Sequence, residues 1–104
     1  MAEFVKVAHT RDVPPGALAV VELDGHLVCL ANVAGRICAV EDDCTHIGGP
    51  LDEGDLEGPV LTCPWHFAQF DVRTGQVLRG PARQNLPAYE VRIQGDAIWL
   101  ARPH

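Results

Sequence analysis

No stretch of this 104-residue chain approaches the ~20 consecutive apolar residues that a membrane helix needs. Met1 to His9 has neither the basic start nor the apolar run of a secretory leader. Those two absences give the cytoplasm as the expected compartment. Positive charge is scarce. Eight Lys and Arg stand against fourteen Asp and Glu, for a formal net charge of −6 and a pI near 5.1. Such a surface disfavours nucleic acid and anionic lipid and suits a partner with a basic docking face. There is no internal repeat, no low-complexity run and no window with a long helical period. A hydrophobic fraction of 47% with 21% charged residues argues against disorder. The length fits one domain, residues 1–104.

What the chain does have is punctuation. Ten glycines and eight prolines cut it into short pieces, the pattern of an all-β domain. Strands are expected at Phe4–Ala8, Ala17–Leu23, His26–Ala31, Arg36–Val40, Val60–Cys63, Gln69–Val72, Gln76–Leu78, Tyr89–Gln94 and Ala97–Ala101. Asp24-Gly25 and Gly95-Asp96 are hairpin turn signals, Arg73-Thr74-Gly75 is a third, and Asn32 to Gly35 turns the chain as a four-residue loop. Strand propensity lapses from Glu41 to about Gly58, and Gly80 to Pro87 is a proline-bounded loop. About nine short strands make an antiparallel sandwich or barrel.

Two segments carry chemistry: Cys44-Thr45-His46 and Cys63-Pro64-Trp65-His66. Together they read C-x-H, sixteen residues, C-x2-H, so each loop offers one thiolate and one imidazole. Four such donors suit zinc as well as an iron–sulfur cluster. Zinc sites, however, usually pair like with like, Cys-x2–4-Cys and His-x3–5-His.

The match to one family is broader than the four ligands. Cys44-Thr45-His46-Ile47-Gly48-Gly49-Pro50-Leu51 resembles the first cluster loop of the Rieske family, in particular its soluble ferredoxins. Cys63-Pro64-Trp65-His66-Phe67-Ala68-Gln69-Phe70-Asp71 resembles the second, followed by a Thr74-Gly75 turn. Gly80-Pro81 and Leu86-Pro87-Ala88-Tyr89 resemble the third loop, which covers the cluster. The resemblance implies a Rieske-like sandwich or barrel with a cluster-binding subdomain near residues 41–70, and one [2Fe–2S] cluster. Cys44 and Cys63 would hold the inner iron, and His46 and His66 the outer one. Gly48, Gly49, Trp65, Phe67, Gln69 and Pro81 would line or cover the cluster.

The ligand set has an electrostatic consequence. Two ferric ions and two sulfides sum to about +2, so two thiolates leave the oxidised site near neutral, where four would leave about −2. Histidine ligation therefore raises the potential into a range of about −150 to +300 mV. High-potential family members join an extra cysteine from each loop in a disulfide. Gly49 and Trp65 occupy those positions here, and Phe67-Ala68-Gln69 supplies no hydroxyl donor to a sulfide. A potential near the bottom of the range follows, with the Gln69 amide as the remaining side-chain donor.

The other notable residues have plainer readings. Cys29 and Cys38 are buried small hydrophobes, facing each other if the Asn32–Gly35 loop has four residues. His9, His26 and His104 are surface or turn residues, and Tyr89 and Trp99 belong to the core. Glu41, Asp42, Asp43, Asp52, Glu53, Asp55 and Glu57 bracket the first cluster loop as a solvated face or a steering surface.

The resemblance implies an electron carrier between a flavin-dependent reductase and a terminal oxygenase, with no catalysis of its own; the acidic surface and the carrier role point to a monomer. The small Rieske-like subunit of a nitrite reductase is the alternative, although many of those lack ligands that are all present here. An oxygenase would need a second domain with its own mononuclear iron, for which 104 residues leave no room. A metal-free structural domain is disfavoured by the complete ligand set.

Overall fold

The computed structural model describes residues 3–42, 53–64, 68–80 and 85–101. The ends of the chain and residues 43–52, 65–67 and 81–84 lie outside them. Ten strands are described: β1 Val5–His9, β2 Leu18–Leu23, β3 His26–Val33, β4 Arg36–Glu41, β5 Asp55–Glu57, β6 Val60–Thr62, β7 Gln69–Asp71, β8 Gln76–Arg79, β9 Ala88–Gln94 and β10 Ala97–Ala101. A 3-10 turn, Thr10–Asp12, follows β1 and is held by a bond from His9 N–H to Asp12 Oδ2 (3.0 Å).

The strands form two antiparallel sheets. The larger runs β1-β10-β9-β4-β3-β2 and curls until β1 and β2 approach each other, a nearly closed barrel. The smaller runs β5-β6-β7-β8. Alternation along the strands sends apolar side chains to two cores. Inside the curl pack Val13, Leu23, Val28, Leu30, Ile37, Ala39, Tyr89, Ile98 and Leu100. On the other face of β3 and β4, Cys29, Ala31, Cys38 and Val40 meet Leu61, Cys63, Ala68, Phe70, Val72 and Leu86 of the small sheet and its loops. Every strand expected from sequence is present. One more, β5, lies in the segment where propensity lapses and is completed by its pairing with β6.

Two expectations need correction. The β3–β4 connection has two turn residues, Ala34 and Gly35, because Val33 pairs with Arg36. Both have positive φ, 53° and 97°, the twist a tight hairpin demands. Asn32 makes this possible: its Oδ1 accepts from Gly35 N–H (2.7 Å) and its Nδ2 donates to Val13 O (2.7 Å). Cys38 therefore sits opposite Ala31, and Cys29 opposite Val40, so the two cysteines do not face each other. Trp99 is the second. Its neighbours Ile98 and Leu100 point into the barrel, so alternation places Trp99 half-buried on the outer face rather than in the core.

Candidate metal centre

The β6–β7 hairpin holds Cys63, the first residue of the expected second ligand pair. Thr62 pairs with Gln69, and one step further Cys63 N–H donates to Ala68 O (2.7 Å). That bond joins Cys63 to Ala68. Cys63 is fully buried, in the core shared with β3 and β4. The Gln69 amide is engaged within the hairpin, with Nε2 3.3 Å from Thr62 Oγ1, so one of its two protons is spent there.

A strap ties the third loop to the β7–β8 turn. Leu86 N–H donates to Gly75 O and Gly75 N–H to Asp71 O, both 2.7 Å, and Asn85 Oδ1 accepts from Val77 N–H (2.9 Å). Gly75 has φ +80°, and a Cβ built there would stand 2.1 Å from Leu86 O. Only glycine admits the strap so close. Leu86 is thereby buried against Cys63, Phe70 and Val72 in the same core. The sequence marked Thr74-Gly75 as a turn but not as the seat of this crossing.

The segment expected to carry the first pair of ligands follows β4. Asp42, expected on a solvated acidic face, is instead buried at 8% exposure; its N–H donates to Leu27 O (3.0 Å), and Glu41 N–H donates to Pro87 O (3.0 Å). The end of β4 is thus fixed to β3 on one side and to Pro87 on the other.

Cys44, His46 and His66 lie outside the described residues, as do Gly48, Gly49, Trp65, Phe67 and Pro81. Among the described residues no three His, Cys, Asp or Glu side chains come together as a metal site. Of the expected ligands, Cys63 alone is described.

The remaining thiols are packing groups. Burial pushes the Cys38 thiol up from its ordinary pKa, with nearby Arg36 opposing and Asp71 reinforcing. Cys38 borders a cleft of about 400 Å³ that includes Arg36, Arg73, Tyr89 and Val91. Asp71 is held below the usual carboxylate range by the hydrogen bonds of Arg73, whose Nε and Nη2 reach its carboxylate at 3.0 and 2.8 Å.

The surroundings of Cys63 fit an iron–sulfur cluster. A cysteine sealed from water between two sheets would suit an inner ligand, and the backbone bond from Cys63 to Ala68 would hold its sulfur still. When bound, the cluster accepts and releases one electron.

Comparisons with known proteins agree. The Rieske [2Fe-2S] domain matches residues 3–90. The chain is 36% identical over 98 residues to the ferredoxin component of the naphthalene 1,2-dioxygenase system of Pseudomonas aeruginosa, covering 94% of each. It is 40% identical over 96 residues to the biphenyl dioxygenase ferredoxin subunit of Pseudomonas sp. strain KKS102, covering 91% of this chain and 88% of that one. A solved complex of reduced oxygenase and oxidized ferredoxin in carbazole 1,9a-dioxygenase contains a chain that superposes with a TM-score of 0.91 at 31% identity, over 97% of this chain and 95% of that chain. With a fold, a buried thiol and a whole-length match all in accord, the chain belongs to the Rieske [2Fe–2S] domain family and carries one [2Fe–2S] cluster.

Proposed function

We propose that this protein is a Rieske ferredoxin that takes one electron from a flavin-dependent reductase and delivers it to a terminal oxygenase. Cys44, His46, Cys63 and His66 bind the cluster, within a cluster-bearing part near residues 41–70 of a single domain. The observation that carries the reading is Cys63: a fully buried thiol next to the turn of a hairpin, at the spacing of a cluster loop, in a chain that dioxygenase ferredoxins match over 91–94% of its length. The family resemblance would put His46 and His66 on the solvent side, where an electron would leave, with Trp65, Phe67 and Pro81 as cover and Gly48 and Gly49 leaving room for backbone amides near the sulfides.

The carrier works as a monomer in the cytoplasm and meets both partners transiently. Among the described residues no helix is long and apolar enough to cross a membrane. The chain performs no bond chemistry; its relatives are the ferredoxin parts of multicomponent oxygenase systems. Its potential lies low in the Rieske range. Part of the Gln69 amide is bonded to Thr62, which supports that placement.

The test is an electron relay. Dithionite-reduced protein, freed of reductant, is mixed anaerobically with the terminal oxygenase of a biphenyl dioxygenase system. Reoxidation at one electron per chain supports the carrier reading. No reoxidation by this oxygenase or by a carbazole 1,9a-dioxygenase, together with tight copurification with a larger enzyme, would replace it with a fixed subunit.

A further inference from the structure

A row of bonded side chains crosses three neighbouring strands where the first ligand loop begins. Tyr89 on β9 donates its hydroxyl to Glu41 Oε2 at 2.5 Å. Glu41, the last residue of β4, places Oε1 3.2 Å from Nδ1 of His26, the first residue of β3. The Glu41 backbone is held as well, through its N–H to Pro87 O. One residue is therefore tied at once to β3, to β9 and to the end of the third loop.

The three bonds differ in weight. Tyr89 is 9% exposed and the Glu41 side chain 22%, so their bond is sheltered and charge-assisted, the strong kind. The His26 side chain is 55% exposed, and a contact there contributes little. The β4–β9 ladder pairs Ala39 with Tyr89 and Val40 with Ala88. Glu41 is the next residue of β4, so its side chain continues the join one step towards the ligand loop. Cys44 follows three residues later, and three residues reach at most about 11 Å.

We propose that Glu41, anchored by Tyr89, is a positioning residue for Cys44, fixing the entry of the first ligand loop against the exit of the third. This rests on Cys44 being a cluster ligand. Groups that hold ligand geometry from behind typically change metal affinity by about 10–100-fold when lost.

The test compares three variants of the cluster-loaded protein, with the rate of cluster loss to a chelator and the EPR spectrum of the reduced state as readouts. Tyr89→Phe keeps the ring in the barrel and removes only the hydroxyl. It should speed cluster loss about tenfold and broaden or shift the g values. Glu41→Leu should do the same. Glu41→Gln keeps a neutral acceptor for Tyr89 and should lose the cluster more slowly than Glu41→Leu, at a rate between it and wild type. Melting of each apoprotein separates a general loss of stability from a local one. Wild-type-like loss rates and spectra in both Tyr89→Phe and Glu41→Leu would overturn the proposal. So would equal lability in Glu41→Gln and Glu41→Leu, since it would assign the effect to charge rather than position. A wild-type protein that shows no histidine-ligated cluster would instead remove the functional reading on which the proposal stands.

Discussion

In the barrel, β1, β2, β3, β4, β9 and β10 are five to eight residues long; β2–β3, β3–β4 and β9–β10 pair in register over five or six residues, while β4 and β9 share two pairs. In the small sheet, β5, β6 and β7 have three residues each and β8 four. A ladder of three residues brings few backbone bonds and little buried area of its own. The small sheet is held by what lies against it: the shared core around Phe70 and the Leu86 strap. The comparison teaches that one half is shaped by its own pairing and the other by its attachments.

The sharpest way to break the comparison is Cys63→Ser. It should abolish retention of the cluster and, by hydrogen exchange, strip protection from β6 and β7 while β3 and β4 keep theirs. Uniform loss in both sheets would show that they unfold as one. Phe70→Ala comes next. Phe70 is fully buried at the junction, and its truncation should cost about 3–5 kcal/mol in chemical denaturation of the apoprotein. Gly75→Ala tests the strap. The positive φ alone costs about 1–2 kcal/mol, and the contact with Leu86 O adds to it. Nuclear magnetic resonance should show shifts at Leu86 and Val77 but not in β2. Asn32→Ala probes the barrel half. Losing its bonds to Val13 O and Gly35 N–H should cost about 1–3 kcal/mol by denaturation, with the EPR spectrum unchanged.

The smallest effect belongs to Asp71. Its folded pKa is lowered, chiefly by hydrogen bonding from Arg73. The stability it brings is therefore present above its unfolded pKa and lost as pH falls through the folded value. Near neutrality Asp71→Asn should melt slightly below wild type, and the gap should close as the solution is acidified.

Legibility in the sequence divides along similar lines. Strands β2, β3, β9 and β10 were readable because alternation and the Asp24-Gly25 and Gly95-Asp96 turns agreed. Strand β5, Asp55-Leu56-Glu57, was not: its two acidic residues lack strand propensity, and pairing with Val60–Thr62 overrides that. The Ala34-Gly35 turn was hidden because alanine rarely adopts positive φ. The signal was Asn32, whose side chain caps the turn from within. Once that register is known, Glu41 falls opposite Val28 and within reach of His26. The Tyr89 hydroxyl bond was not legible, since it joins residues 48 positions apart. Chemistry was the most legible layer, because mixed Cys-x-His and Cys-x2-His pairs have few other uses. Of those four residues, the described structure adds the burial of Cys63.

The central claim is that two cysteines and two histidines of this chain hold one cluster. Iron and acid-labile sulfide, assayed on anaerobically purified protein and followed by EPR of the dithionite-reduced state, test it most directly. Two irons and two sulfides per chain, with an average g below that of an all-cysteine cluster, are the predicted result. A colourless protein containing zinc, or iron without labile sulfide, would contradict it.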